Sequence, residues 1–580
     1  MSVVPPPDTD ARSAVERVKE SSGRLRGNVA AELDDTGPKF SADSTVVLKF
    51  HGIYQQDDRD VRSRGVEHIC MVRVSIPGGI LTSEQYLAMD ALCDTVANGT
   101  LRITTRQGIQ FHFVHKGDLR ALLGTLNEHL LTTLAACGDV VRNVTSCPAP
   151  VVGAARAEIR SHVERVARHF KPRTRAYYEL WLDGERAVTA QTPDAEPFYG
   201  AAYLPRKFKI GFAFPGDNCI DVFTNDLGIV PVLDGGDLIG FTLLVGGGMG
   251  RSHTDPTTFP RMADPLATVA PDDLLEVAEA VVSVHRDHGN RVDRDHARLK
   301  YLVADWGIDR FREQVESVLG RRLPDPEQVV FDDASDHLGW HQQGDGRRYL
   351  GVKVENGRIV DRGRARLRSA LRAVAKTVPV GIRLTSREDL LLTDVAEVDR
   401  PVVDTILREH GVVPAEAWVP LLRNSFACPA LPTCGLALTE SERALPGVLD
   451  QLHAELAELD LGGLDAHVRM TGCPNGCARP YTAEIGLVGR GKRSYDIHLG
   501  GEPVGIRLNR IFAENVPRDS LVEVLRPVLT YYREHRHDGE GLGDFCHRVG
   551  VDRLRLELGN ESWVRRRRGG TPEPVAAEVG

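Results

Sequence analysis

The sequence predicts an α+β fold that is built twice along one chain. Strand-like and helix-like stretches alternate from about Val46 onward. Residues Leu101–Arg106 (LRITTR) align with Ile382–Arg387 (IRLTSR), and Arg142–Ala149 (RNVTSCPA) aligns with Arg423–Ala430 (RNSFACPA), both at an offset of 281 residues. Two stretches in one register indicate an internal duplication. We therefore expect two homologous halves, related by an approximate two-fold axis, with room for a ligand between them.

The elements of a small α+β unit occur in the same order in both halves. In the first half a strand (MVRVSIP) leads through the turn Pro77–Gly79 to a helix from Ser83, a strand (TLRITTRQGIQFHFV) and a helix from Asp118. In the second half GVKVENGRI, the helical RARLRSALRAVAKTV and the strand GIRLTSREDLLLTDV precede a helix from Val398. A weaker match between FTLLVGG and YDIHLGG extends the duplication into two larger units.

These patterns also set the predicted boundaries. The N-terminal residues are rich in Pro, Asp, Ser and Arg and have no sustained apolar period, which predicts an extended arm around the body. The predicted segments are the arm 1–43, a small unit 44–135, a larger unit 136–335, a second small unit 336–415, a second larger unit 416–560 and a basic, flexible tail 561–580.

Composition excludes several classes of protein. A chain of 580 residues, 42% hydrophobic and 26% charged, is too long for a single core. The longest nearly uncharged apolar stretch, Leu238–Gly250, is shorter than the roughly 20 residues that span a bilayer, and the N-terminus does not resemble a signal sequence. The net charge of -9 argues against bulk binding of nucleic acid. We expect a soluble, cytoplasmic protein with no nucleic-acid or membrane partner.

The ten cysteines indicate metal ligands or reactive thiols rather than a disulfide framework. Four of them form two close pairs, Cys428 with Cys434 and Cys473 with Cys477, in Pro/Gly-rich segments. A cubane iron-sulfur cluster takes four thiolates, which favours a 4Fe-4S cluster. Zinc and four buried structural cysteines remain alternatives. The other six show no ligand spacing and are interpreted mostly as core residues, with Cys147 as a remnant at the repeat position of Cys428.

Several basic residues lie in apolar, strand-like segments, where a charge is costly without a partner. Alternation places Lys207 and Lys209 on one face of their strand. Each cation alone could pair with a carboxylate or reach water, and for Arg298 and Lys300, which share no helix face, this ordinary role is favoured. Together the cations indicate a site for a polyanion. The others are Arg73, Arg102, Arg106 and Arg142.

At these residues the chain resembles the siroheme and 4Fe-4S nitrite and sulfite reductase family, and within it the assimilatory sulfite reductases. The matching segments are KFHGIYQQDDRD, TLRITTRQ, ACGDVVRNV, YLPRKFK, LLVGGG and MTGCPNGCARPY. Their sequences are more similar to those of the ferredoxin-dependent enzymes than to that of the hemoprotein subunit of the NADPH enzyme. The resemblance implies that the small units are ferredoxin-like half-domains and that the larger units bind siroheme and the cluster.

The resemblance also implies roles for individual residues. The cluster ligands would be Cys428, Cys434, Cys473 and Cys477, with Cys477 also bridging to the siroheme iron. Contacts with the macrocycle would come from Arg102, Arg106, Gln110 and Asn475, and we add His112, Arg298 and Lys300 as cofactor-binding candidates. The residues that bind sulfite and supply protons would be Arg73, Arg142, Lys207 and Lys209. A cross-link between Tyr54 and Cys137, as in some members, is left open.

We therefore expect six-electron reduction of sulfite to sulfide by a monomer. Its electrons must come from another protein, because the chain has no flavin or nicotinamide fingerprint. Ferredoxin is the first expected donor and an NADPH-fed flavoprotein the second. Arg565–Arg568 could dock an acidic ferredoxin, although a solvated tail is favoured there. The alternatives are nitrite reduction to ammonia, a catalytically silent cluster protein and a zinc-stabilised binding module.

Overall fold

The computed structural model describes residues 11–174, 176, 181–182, 185–186 and 196–559. The first ten residues of the predicted arm and the predicted tail 561–580, including Arg565–Arg568, lie outside the described residues. Within the described ranges no helix combines the length and the apolar character that a membrane span needs. Helices and strands alternate along the chain, as predicted.

The described part of the predicted arm is not extended but contains helices. Glu16 and Lys19 of its first helix are buried, and Lys19 Nζ donates to the carbonyl of Leu204 at 2.8 Å. The buried face of this helix includes polar side chains whose partners lie elsewhere in the protein. The sequence therefore lacks the apolar period that would have predicted a helix here. Up to residue 135 the elements are α1 (Ala14–Ser21), α2 (Val29–Asp34), α3 (Ala42–Leu48), β1 (Ile53–Asp57), β2 (His68–Arg73), β3 (Ile80–Thr82), α4 (Ser83–Val96), β4 (Leu101–Ile103), β5 (Ile109–Val114) and α5 (Leu119–Glu128).

The next part of the chain is built around one mixed sheet. Its strands run in the order β13-β12-β11-β9-β6, in which β6, β9 and β11 are parallel and β11, β12 and β13 are antiparallel. The elements are β6 (Thr145–Ser146), α6 (Ala154–His169), β7 (Trp181–Leu182), β8 (Glu185–Arg186), β9 (Ile210–Phe212), β10 (Gly216–Asp217), β11 (Leu227–Asp234), β12 (Asp237–Val245), β13 (Asp264–Val269), α7 (Leu274–His288), α8 (Leu299–Trp306), α9 (Ile308–Leu319) and β14 (Phe331–Asp333).

The second half repeats both units. Its larger sheet runs in the order β22-β23-β24-β25-β26, with β22, β23 and β24 parallel and the last three antiparallel, which is the topology of the first larger sheet. The elements are β15 (Gly339–Gln342), β16 (Arg347–Val352), β17 (Arg358–Ile359), β18 (Asp361–Arg362), β19 (Ala365–Arg366), α10 (Leu367–Thr377), β20 (Gly381–Leu384), β21 (Leu390–Ala396), α11 (Arg400–Glu409), α12 (Pro420–Arg423), β22 (Phe426–Ala427), α13 (Leu445–Glu458), β23 (Val468–Thr471), β24 (Ile485–Gly491), β25 (Ser494–Leu499), β26 (Arg510–Pro517), α14 (Leu521–His535), α15 (Leu542–Val549) and α16 (Val551–Leu558).

The two small sheets exchange one strand each. Strand β17 of the second half completes the sheet β1-β2-β5-β4-β17, and β3 of the first half completes β15-β16-β21-β20-β3. In these pairings Arg358 lies opposite Arg102, and Ile80 lies opposite Arg383. The reciprocal pairing confirms the predicted duplication and its approximate two-fold relation. One apolar core is shared by both small sheets, while each larger unit has a core of its own.

Candidate functional site

The four paired cysteines lie in two loops that follow neighbouring parallel strands. Cys428 comes directly after β22, and Cys473 follows β23 by two residues. The carboxyl ends of parallel strands meet at one edge of a sheet, which brings the two loops together. The backbone N–H of Cys428 donates to the carbonyl of Met470, and the N–H of Gly472 donates to the sulfur of Cys428 at 3.4 Å. The two motifs therefore form one unit.

The thiols of this unit influence one another electrostatically. Burial is the first cause that raises the pKa of Cys473 to about 12 and that of Cys428 well above its ordinary value, and the charge of Cys477 is the second cause in both. Burial and Cys477 also raise the pKa of Cys434. Three of the four side chains are buried or half-buried, whereas Cys477 is exposed. The unit therefore presents one sulfur to the space outside it.

Hydrogen-bond donors point at the sulfurs. Asn475 Nδ2 lies 3.4 Å from the sulfur of Cys473, and the backbone N–H groups of Leu436 and Ala437 bond the sulfur of Cys434 and lower its pKa. Such donors stabilise sulfur that carries negative charge and raise the potential of a cluster. The donor set fits a cluster bound by four thiolates.

A group of buried cations lies near Cys477, and we call it the cation group. Burial, followed by the charges of neighbouring cations that begin with Arg142, lowers the pKa of Lys207 to about 7, and the charge of Cys477 opposes that shift. Burial and then Arg298 lower the pKa of Lys209 well below its ordinary value. Both lysines keep some accessible surface, and within the part of the chain that the structure describes neither ammonium group has a hydrogen-bond or ion-pair partner. An anion bound beside these ammonium groups would offset the cost of burying them.

Two further predicted residues belong to the cation group, and both already have partners within the protein. Arg106 donates to Asn225 Oδ1 at 2.9 Å and to backbone carbonyls, and burial, followed by the charge of Arg142, lowers its pKa to about 9. Arg298 forms a two-pronged ion pair with Asp226 at 2.8–2.9 Å. This pairing is the ordinary role favoured for Arg298 from the sequence, although it brings the guanidinium close to Lys209.

Lys300 is completely buried and also belongs to the cation group, since the charges of Arg298 and Lys207 act on it. Its Nζ donates to the carbonyls of Gly250 (2.6 Å), Gly248 (3.3 Å) and Phe259. Burial and then Arg298 lower its pKa to about 6. The glycine-rich loop that holds Lys300 also contacts the second cysteine loop, because the N–H of Arg251 donates to the carbonyl of Pro474 at 2.9 Å. The cations and the cysteines therefore face each other across the boundary between the halves.

Arg73 and Arg142 lie beside a tyrosine and a cysteine. Arg73 Nη1 donates to the sulfur of Cys137 at 3.0 Å, and its Nε donates at 3.0 Å to the amide oxygen of Gln110 when that amide is turned to accept it. Arg142 bonds the hydroxyl of Tyr54, whose pKa is raised first by burial and next by the charge of Cys137. Tyr54 and Cys137 are thus neighbours between two predicted anion-binding arginines, and their cross-link stays a prediction.

Arg102 has a full set of partners inside the protein. Its nitrogens donate to Glu388 (2.8 and 3.0 Å), to Glu442 (3.3 Å) and to the carbonyls of Ala427 (2.7 Å) and Ile103. Because Ala427 directly precedes Cys428, Arg102 anchors the first cysteine loop to β4. A direct contact with a macrocycle stays a prediction, and it would require Arg102 to exchange one of these bonds.

His112 is buried next to the first cysteine loop. Its Nδ1 lies 3.2 Å from Thr433 Oγ1, between Cys428 and Cys434. Burial, followed by the charge of Arg358, holds the pKa of His112 well below its ordinary value. A neutral imidazole at this place supports the loop, whereas contact with a cofactor stays a prediction.

Sequence reasoning missed residues that hold the site together. Arg59 Nη1 donates to the carbonyls of Ala437 (2.6 Å) and Cys434 (3.4 Å), and it lies within the matching segment KFHGIYQQDDRD. Arg479, in the segment GCARPY, pairs with the buried Asp221 and donates to the carbonyl of Ser386 at 3.0 Å. Arg59 and Arg479 could have been found because each is a cation inside a matching segment. Asp221 lies outside the matching segments, and nothing in the sequence indicated its role.

Cys147 and Cys219 lie in the hydrophobic core, as predicted, but they also belong to a group of potential ligands that the sequence did not reveal. Both are buried, but their sulfurs lie within 4.8 Å of each other and of ligand atoms of Asp217 and His337. The pKa of Cys147 is held well below its ordinary value, first by a hydrogen bond from Cys219 and also by His337. Because these residues are distant in sequence, the spacing of cysteines could not reveal the group.

The comparisons with known proteins agree with this geometry. A family model described as the nitrite and sulphite reductase 4Fe-4S domain matches residues 164–323 and 418–566, and one described as the nitrite/sulfite reductase ferredoxin-like half domain matches residues 62–129 and 341–410. These four ranges make up most of the chain.

Two curated relatives and one solved structure extend the match. The chain is 44% identical to a sulfite reductase [ferredoxin] of Synechococcus elongatus, over 94% of this chain and 90% of that protein. It is also 44% identical to a sulfite reductase [NADPH] hemoprotein beta-component of Acidithiobacillus ferrooxidans, over 93% and 96%. The NirA protein of Mycobacterium tuberculosis matches in fold with a TM-score of 0.76 at 24% identity, over 93% of this chain and 97% of that chain.

Proposed function

Since the chain belongs to the nitrite and sulfite reductase family, we propose that it is an assimilatory sulfite reductase, which reduces sulfite to sulfide with six electrons. Its cofactors are a siroheme and a 4Fe-4S cluster. The observation that carries the proposal is the position of Cys477, an exposed sulfur among three less exposed ones, near Lys207, whose ammonium group has no hydrogen-bond or ion-pair partner among the described residues.

The residues present fit these two groups. Four thiols with N–H donors at three of the sulfurs suit a cluster, and an excess of buried cations suits a macrocycle that carries several carboxylates. Cys428, Cys434, Cys473 and Cys477 would hold the cluster, and Cys477 would also reach the siroheme iron. The charge of Arg106 acts on Lys209, and Asn475 bonds the sulfur of Cys473. When bound, the coupled cofactors supply the electrons to the substrate.

The chain's own residues bind the substrate and supply protons. Lys207 and Lys209 bring positive charge into a buried part of the protein, so a small oxyanion is attracted there. The charge of Arg142 acts on Lys207, and contacts with Tyr54 and Cys137 fix the guanidinium groups of Arg142 and Arg73. With a pKa near 7 before an anion binds, Lys207 can give up a proton to a departing oxygen at neutral pH.

The electron donor is a separate protein. The sequences of the matching segments support ferredoxin as the donor. Because the chain is equally identical to a ferredoxin-dependent and to an NADPH-dependent relative, the experiment below also includes the flavoprotein donor. We further propose that the protein acts as a monomer in the cytoplasm. Size-exclusion chromatography with light scattering tests the first of these, and cell fractionation tests the second.

Sulfide production by the purified protein tests the proposed function. Chemically reduced ferredoxin, or a flavoprotein with NADPH, is supplied together with sulfite, and sulfide is measured over time. We expect sulfide formation, a visible spectrum of siroheme that shifts when sulfite is added, and faster turnover of sulfite than of nitrite. Preference for nitrite would instead support the other activity of the family, and a protein that binds four irons without siroheme absorption would contradict the proposal.

A further inference from the structure

Four potential metal ligands lie together at a mostly buried position next to the end of strand β6 in the first larger unit. Cys147 follows β6, Asp217 ends β10, Cys219 comes two residues later, and His337 lies between β14 and β15. Their ligand atoms all lie within 4.8 Å of one another, and all but Asp217 are buried. None of these residues is one of the four predicted cluster ligands or belongs to the cation group described above.

The distances between these atoms match the edges of a tetrahedron around one ion. The sulfur of Cys147 lies 3.7 Å from Asp217 Oδ2 and 3.7 Å from His337 Nε2, and those two atoms lie 3.4 Å apart. For Zn–S bonds of about 2.3 Å and Zn–N or Zn–O bonds of about 2.05 Å, the tetrahedral edges are about 3.6 Å from sulfur to nitrogen or oxygen and about 3.4 Å from nitrogen to oxygen. The side chains are thus already placed at the separation that a bound ion would impose.

The surroundings orient the ligands and balance their charge. Asp217 Oδ1 accepts the backbone N–H groups of Cys219 (2.9 Å) and Ser335 (3.0 Å), so its other oxygen, Oδ2, is turned toward the group. Two thiolates, one carboxylate and a neutral imidazole around a divalent ion leave a net charge of about -1. The guanidinium groups of Arg383 and Arg387 act electrostatically on Cys147 and His337, and they can neutralise that charge.

We propose that Cys147, Asp217, Cys219 and His337 hold a structural Zn²⁺ ion. Two sulfur ligands with one nitrogen and one oxygen suit zinc better than calcium or magnesium, which prefer oxygen alone. Because four protein ligands close the tetrahedron, no position is left for a substrate, and the site is structural.

The ion would fix the segment that joins the two halves. His337 lies in the connection that leaves the first larger unit and enters the second small sheet, whereas Cys147 and Cys219 belong to the first larger unit. Ser386, in the loop between β20 and β21, donates to the carbonyl of Cys219 at 2.6 Å and ties the site to the second small sheet. Cys147 occupies the repeat position of Cys428, so the duplicated place that holds the cluster in one half would hold a single ion in the other.

Metal analysis of the purified holoenzyme tests this proposal independently of the proposed function. We expect about one zinc per chain in addition to the iron, and zinc X-ray absorption that shows two sulfur neighbours at about 2.3 Å and two nitrogen or oxygen neighbours at about 2.0–2.1 Å. Iron content and siroheme absorption are recorded on the same samples. A zinc-bearing protein without siroheme would contradict the proposed function and leave the ion site supported.

Variants assign the ion to these ligands. Cys219→Ser and the milder Asp217→Asn are expected to lose at least about tenfold in zinc affinity, as loss of a ligand or its orientation does. Cys93→Ser is the control, because Cys93 is buried and belongs to no group of potential metal ligands within the ranges that the structure describes. If Cys219→Ser does not fold, Asp217→Asn and the absorption spectrum of the wild-type protein decide. Protein without zinc even after zinc is added, a zinc neighbourhood of four sulfurs, or a disulfide between Cys147 and Cys219 would overturn the proposal.

Discussion

Replacing Lys207 by methionine is expected to abolish most turnover without weakening the fold. The pKa of Lys207 is about 7 in the protein without bound anions, against 10.5 ordinarily. At 1.36 kcal/mol per pKa unit, this difference corresponds to an unfavourable burial on the order of 5 kcal/mol. Because the folded-state pKa is lowered, the cost is fully present below pH 7 and disappears as the pH rises toward 10.5. Methionine keeps the unbranched shape and removes the charge.

Two quantities are measured on the holoenzyme. We expect kcat for sulfite to fall about 100-fold to 1000-fold, the usual effect of removing one donor that stabilises developing charge. The midpoint of thermal unfolding should stay unchanged or rise. Lys116→Met is the matched control, because Lys116 is also buried but lies outside the cation group. Its Nζ donates to Asp35 Oδ1 at 2.5 Å and to the carbonyl of Gly37 at 2.9 Å. This control should keep its kcat.

Two outcomes for Lys207→Met would refute the reasoning. If kcat stays close to that of the wild-type protein, the ammonium group does not act on the substrate. If siroheme is lost and the unfolding midpoint falls, the lysine serves mainly to bind the cofactor.

Three further predictions follow from buried charges. Asp226→Asn should destabilise the protein by about 3–5 kcal/mol, because Arg298 loses its buried partner; an unchanged denaturation profile would contradict this. Glu442→Gln should lower the iron content per chain, because Arg102 then holds the first cysteine loop less firmly, and full iron occupancy would exclude that link. Since turnover needs the protonated form of Lys207, kcat/KM should fall as the pH rises above about 7, and a pH profile that Lys207→Met leaves unaltered would show that another group titrates.

Much of the fold could be predicted because an internal duplication leaves similar residues at a constant offset along the chain. The match between Leu101–Arg106 and Ile382–Arg387 predicted two related strand-and-loop units, and the structure pairs β4 with β17 and β20 with β3 in corresponding registers. The exchange of strands itself could not be predicted, since β3 and β17 are short and nothing local to them indicates which sheet they join.

The candidate site was predictable where its residues are close in sequence. Cys473 and Cys477 lie four residues apart, and alternation along a strand paired Lys207 with Lys209. The group around Cys147 was not predictable, because Asp217 and His337 come from elements 70 and 190 residues away. Buried ion pairs are similarly invisible, because a carboxylate such as Asp226 carries no mark of its distant partner.

The most direct test of the account is the pair of cofactor spectra of Cys477→Ser, recorded by absorption and by electron paramagnetic resonance. The account predicts that the signals of the cluster and of the siroheme change together, while Cys70→Ser leaves both unchanged, because Cys70 is buried and no group of potential ligands found among the described residues includes it. If Cys477→Ser leaves both signals as in the wild-type protein, or alters only those of the cluster, this sulfur does not join the two cofactors.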